Sequence, residues 1–152
     1  MNPESRMWFY GLKQPLDASK SEALVQMMDA FIGEWKAHGA DLQAGYRLIG
    51  NQCLIIAVDE SMQAATGCSI DKSVHLLQDF GAKHGVDFFN RMLIFTFENG
   101  QIAALSPQEL KESIAQGIVN ADTQVLHALA PTLKESGQGL IPLKDSWAAK
   151  YL

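Results

Sequence analysis

Tyr46-Arg47-Leu48-Ile49-Gly50-Asn51-Gln52-Cys53-Leu54-Ile55-Ile56-Ala57-Val58 is the stretch that decides how this chain folds. Two extended runs flank a Gly-Asn pair, residues that accept the positive φ angles of a tight hairpin. The second run is almost wholly apolar, so it reads as a central strand covered on at least one face. Asp59-Glu60-Ser61 ends it abruptly.

Working outward, Met7-Trp8-Phe9-Tyr10 is an aromatic-rich first strand, broken by Pro15 and Asp17. Ser19-Lys20-Ser21-Glu22 matches a capping box, and Leu24, Met28, Phe31 and Trp35 follow at i, i+4, i+7 and i+11. That spacing predicts one apolar stripe on a helix stopped at Gly39. A second helix is predicted to begin near Ser69, to bury Ile70, Val74, Leu77 and Phe80 or Gly81, and to end at Gly85. Met92 to Phe97 and Gln101 to Leu105 flank Glu98-Asn99-Gly100, a strong hairpin signal. Ser106-Pro107-Gln108-Glu109 opens a third helix, with Leu110 and Ile114 inward and Gly117 as its stop. Thr123 to His127 reads as one more strand, and the rest, with Pro131, Gly137, Gly139 and Pro142, is loop-rich. Trp147 and Tyr151-Leu152 tie down the tail, Trp147 serving as an exposed anchor or as the clamp.

The first six elements run β-α-β-β-α-β, the order of a ferredoxin-like arrangement. The expectation is therefore an α+β fold with a ferredoxin-like core over about 7–105. A C-terminal extension of hairpin, helix and strand occupies about 106–152, and the chain 1–152 forms a single domain. Both helices are expected on one face of an antiparallel sheet. The other face is left for the extension or for a second copy of the chain.

Composition narrows the function classes. At 152 residues, 47% hydrophobic and 19% charged, the chain is ordinary globular protein. Its net charge of −5 and its scattered lysines argue against nucleic acid and against anionic membrane surfaces. The longest apolar run, Leu54 to Val58, is too short to span a bilayer, and Met1 to Arg6 has no signal-peptide character. Cys53 and Cys68 lie on opposite sides of a strand length and read as two free thiols, which suits a reducing compartment. A cytoplasmic location is the expectation.

The chemistry-bearing stretch is Ala64-Ala65-Thr66-Gly67-Cys68-Ser69-Ile70-Asp71-Lys72-Ser73-Val74, where a loop becomes a helix. Unpaired amides and the helix dipole favour negative charge at such a point. Two chemistries follow. Thr66, Gly67, Cys68, Ser69 and Lys72 form a candidate site for a small anionic ligand. Alternatively, Cys68 is a candidate catalytic or redox-sensing thiol, its ionisation favoured by the helix start and by Lys72. Plain helix capping by Ser69 or Cys68, and a packed inert thiol, explain the same residues without any ligand. Asp59 and Glu60, at the end of the central strand, are candidate contributors to either site. Asp71, His75 and Asp79 share a helical face, but a solvated face explains them and no metal site is expected. No cofactor is expected. G-x-x-x-x-G-K-[ST], C-x-x-C and G-x-S-x-G are all missing.

Ala57-Val58-Asp59-Glu60-Ser61, the Gly67-Cys68-Ser69-Ile70-Asp71-Lys72-Ser73 core and the ending Ser146-Trp147 to Tyr151-Leu152 together resemble a family of small uncharacterised bacterial proteins. The resemblance covers most of the chain. Members are sometimes labelled as ABC transporter ATPases, a label this sequence contradicts because it has no phosphate loop. The resemblance supports the segment as a shared feature and carries no activity and no catalytic residues. The leading reading is a binding or assembly module whose partner is a second copy, another protein or a small anion at the turn from Thr66 to Lys72. The rival is a thiol-dependent enzyme or redox sensor using Cys68.

Overall fold

In the computed structural model, which describes every residue except His38 and Gln138, the chain is a mixed α+β fold built from two antiparallel sheets. The first contains β1 (Arg6–Gly11), β4 (Gln43–Ile49) and β5 (Cys53–Asp59), in the order β1-β5-β4. β2 (Lys36–Ala37) and β3 (Ala40–Asp41) form a small ribbon before β4. The second sheet contains β6 (Ile94–Glu98), β7 (Gln101–Leu105), β8 (Gln124–Leu126) and β9 (Leu140–Pro142), in the order β7-β6-β8-β9. The helices are α1 (Ala18–Glu34), α2 (Gly67–His84), α3 (Pro107–Ala115) and the short α4 (Leu133–Ser136).

Strand alternation sorts the side chains into layers. Tyr10, Leu54, Ile56 and Val58 face α1 and α2, where they meet Leu24, Met28, Leu77 and Phe80. Met7, Phe9, Cys53 and Ala57 project the other way, against Leu93, Phe95 and Ala104. The rings of Phe9 and Phe95 lie 5.5 Å apart across this seam. Ile94 and Val125 point out of the second sheet to a third cluster with Leu110, Leu143 and Ala148. The layers thus run helices, sheet, sheet, then α3 with the C-terminal 3-10 turns.

This corrects the ferredoxin-like sheet. Along the chain the ribbon of β2 and β3 adds two short strands between α1 and β4, so the order is β-α-β-β-β-β-α-β; both long helices do share one face. However, β6 does not join the first sheet, and β1 lies antiparallel to β5 with Arg6 opposite Val58 and Gly11 opposite Cys53. The outer edge of β1, which β6 needed, is taken by a later segment: Met7 N donates to the Pro131 carbonyl at 2.9 Å and Leu133 N to the Ser5 carbonyl at 3.0 Å. β6 pairs instead with β7 and β8, so the strands beyond Leu105 belong to the same sheet as the hairpin before it. The uncovered face of the first sheet is covered from within the chain.

Both hairpins form where expected. Gly50 and Asn51 have φ of 58° and 54°, and Asn99 and Gly100 have 52° and 76°, the left-handed values of two-residue turns. Gln52 is an added residue in the first hairpin, because Ile49 pairs with Cys53. Its side chain is buried and donates to the Leu12 carbonyl at 2.9 Å, anchoring the loop after β1.

Three helix details differ from expectation. α1 is capped by Asp17, whose carboxylate accepts from Lys20 N at 2.8 Å, two residues before the predicted Ser19. It stops at Glu34, not at Gly39, because Trp35 turns extended and its indole N–H donates to the Ser69 carbonyl at 2.8 Å. α2 begins at Gly67 and buries Ser69, Ser73, Leu77, Phe80 and Gly81, while Ile70 and Val74 are only half-buried. The inward face is rotated by one residue because small serines allow closer approach to the sheet. Trp147 proves to be half-buried against Tyr151, the clamp of the two tail readings. No helix among the described residues is long and apolar enough to cross a membrane.

Candidate functional site

At the turn before α2 the polar groups are engaged with one another. Thr66 is the N-cap: its hydroxyl accepts from Ser69 N at 3.2 Å, and the Ser69 hydroxyl oxygen accepts from Thr66 N at 2.7 Å. Glu60 folds its carboxylate onto Ala65 N at 2.8 Å, placing a negative charge beside the helix start. Asp59 is turned elsewhere; it accepts from Ser61 N at 3.0 Å and from the Asn2 amide at 3.5 Å. The Ser61 amide is the main cause that holds its carboxyl below the usual range. Of the two acids, then, only Glu60 reaches the turn, and it supplies the charge an anion would have supplied. Gly67, Cys68 and Lys72 are exposed, and Ser69 is buried under Trp35.

The cysteines differ sharply. Cys53 is fully buried between the sheets, and burial pushes its thiol up to about 12. Cys68 is exposed in the first turn of α2. No disulfide links them. Asp71, His75 and Asp79 lie exposed along α2. Among the described residues no group of three or more His, Cys, Asp or Glu is placed to hold a metal.

A larger feature lies elsewhere. Beneath β4, at one side of the sandwich, a cleft of about 520 Å3 opens between the first sheet and the segment of α4. Its floor is the inner face of β4 and β5: Gly45, Arg47 and Ile49 with Ile55 and Ala57. Its far wall is Leu133 and Ser136 of α4, continued by Gly137 and Gly139. β4 contributes no side chain to it at Gly45, where the end of the Met1 side chain lies instead. A Cβ built there meets only the flexible end of Met1, at 3.0 Å, so nothing in the backbone demands glycine. Gly inside a strand weakens it and often marks close approach by a ligand or another backbone. The volume falls in the roughly 300–1,000 Å3 range of small-molecule sites.

Arg47 carries the only charged side chain among the residues lining the cleft. The chain's other two arginines are occupied: Arg6 stacks over Trp8 at 4.8 Å, and Arg91 lies over Tyr10 at 5.6 Å and donates to the Phe9 carbonyl. Arg47 has no carboxylate within 4 Å and no side-chain hydrogen bond among the described residues. The neighbouring Tyr46 points to the opposite face, where its hydroxyl donates to Asp29 at 2.6 Å. Burial, reinforced by that carboxylate, raises the phenol to about 12.

Neither the family models, nor the curated proteins, nor the solved structures contain a match to this chain. The functional reading therefore rests on geometry. Sequence reasoning missed Gly45, Arg47 and the wall from α4. One signal was available: a glycine one position before the run Tyr46 to Ile49, inside what proves to be a seven-residue strand. The wall was not legible, since Leu133, Ser136, Gly137 and Gly139 come to β4 only through the tertiary fold.

Proposed function

We propose that this chain is a binding module, and that its ligand site is the cleft beneath β4. One observation carries the reading: a cleft of about 520 Å3 over the inner face of β4 and β5 is walled by apolar residues beside an unpaired arginine. The anionic-ligand expectation moves here from the turn of Thr66 to Lys72. At that turn the capping box occupies the Thr66 and Ser69 amides, Glu60 occupies that of Ala65, and a second negative charge would meet the first.

The test is a titration of 15N-labelled protein with octanoate and with 1-octanol. Binding by either that shifts the amides of Gly45, Ile55 and Leu133 supports the cleft. Shifts confined to Gly67 through Lys72 would return the site to the turn, and no shifts at all would remove the small-molecule reading.

The exposure of Cys68 supports a second reading, thiol chemistry at the start of α2. It requires alkylation of Cys68 with a pH midpoint well under the ~8.5 of a free thiol. A midpoint at that ordinary value would end it.

A further inference from the structure

We infer that the ligand of the cleft is an amphipathic carboxylate, its acid group held by Arg47 and its apolar body lying along Ile49, Ile55, Ala57 and Leu133; this rests on the cleft being the binding site. The pairing of chemistry is what selects the class. Apolar walls with a single charged side chain at one point fix both the burial of a chain and its direction. Arg47 presents a planar fork that fits a carboxylate with two parallel hydrogen bonds. Its guanidinium is exposed and engaged by no other described side chain, in a protein whose other arginines are both stacked on aromatic rings. A cationic amphiphile meets repulsion there, and a neutral one gains nothing from the guanidinium beyond the hydration it already has.

Arg47 also sits on an edge strand, and an inward-facing charge on such a strand guards against pairing with another chain. The two roles separate by experiment. Calorimetric titration of the wild type with octanoate, decanoate and 1-octanol is compared with Arg47→Gln and Arg47→Lys, with the mass of each variant followed by light scattering. The expected result is acid over alcohol in the wild type and tightening of roughly four-fold per methylene from octanoate to decanoate. Arg47→Gln should weaken the acid by roughly ten-fold or more, leave the alcohol unchanged and stay monodisperse. Arg47→Lys should fall between.

Equal binding of acid and alcohol, untouched by Arg47→Gln, overturns the carboxylate assignment while leaving the cleft as the site. Absence of binding by all three ligands overturns both. Self-association of Arg47→Gln without any acid preference in the wild type assigns Arg47 to guarding the edge. If Arg47→Gln fails to fold, the acid–alcohol comparison and Arg47→Lys still decide.

Discussion

Trp35 shows how much one side chain settles. Its register on α1 marks it as core, and it is 3% exposed. The same indole ends the helix and ties it to the first turn of α2 through the Ser69 carbonyl. Trp35→Phe keeps most of the apolar contact and removes that bond, so a loss of about 1–2 kcal/mol is expected in urea unfolding. The burial of Trp35 was legible from i, i+4 spacing; its partner, 34 residues away, was not. The same limit applies to the thiols. Two free cysteines were readable, but only the sheet stacking shows that Cys53 is sealed and Cys68 is not. In the native protein iodoacetamide should label Cys68 alone, with Cys53 appearing only after denaturation, as mass spectrometry of the peptides will show.

At the scale of elements, turn and cap signals were the most legible features. Asn99-Gly100 and the Ser106-Pro107-Gln108-Glu109 start both stand as read, because their chemistry is local. The inward face of α2 was misread by one residue because apolar periodicity pointed to Ile70 and Val74, whereas close packing selects Ser69 and Ser73. Gly81 serves the turn that closes α2: a Cβ there would lie 2.4 Å from the carbonyl oxygen of Val86, whose amide donates to the Gly81 carbonyl, and a backbone atom does not yield easily. Gly81→Ala should therefore cost about 1–3 kcal/mol. Gly67→Ala, with open space around it, should be neutral or slightly stabilising in the same unfolding measurement.

The start of α3 carries a pH dependence. Glu109 is held down to about 2, first by Lys13 and then by the Ser106 amide. Its folded pKa lies below its unfolded one, so its contribution is present above the ordinary 4.5 and is lost as pH falls toward about 2. Glu109→Gln keeps the cap and removes the ionisation. Between pH 5 and pH 2.5 its unfolding midpoint should fall less than that of the wild type.

For the whole molecule, the α+β class and the sharing of one sheet face by α1 and α2 were readable from element order. The sheet partition was not. Whether β6 pairs with β1 depends on who holds the edge of β1, and the backbone of 131–133 holds it, more than a hundred residues along the chain. That same late segment brings α4 over β4 and walls the cleft, so the sheet partition and the cleft were hidden in the sequence for one reason.

Gly45→Leu tests this account most directly. The position has no positive φ and no backbone within contact of a new Cβ; only the flexible end of Met1, 3.0 Å from that Cβ, has to move aside for the side chain to enter the cleft. The variant is predicted to unfold at higher urea than the wild type, gaining about 0.5–1 kcal/mol from the loss of a strand glycine, and to bind octanoate at least ten-fold more weakly. Octanoate binding of wild-type strength in a folded Gly45→Leu protein would contradict the cleft as the site.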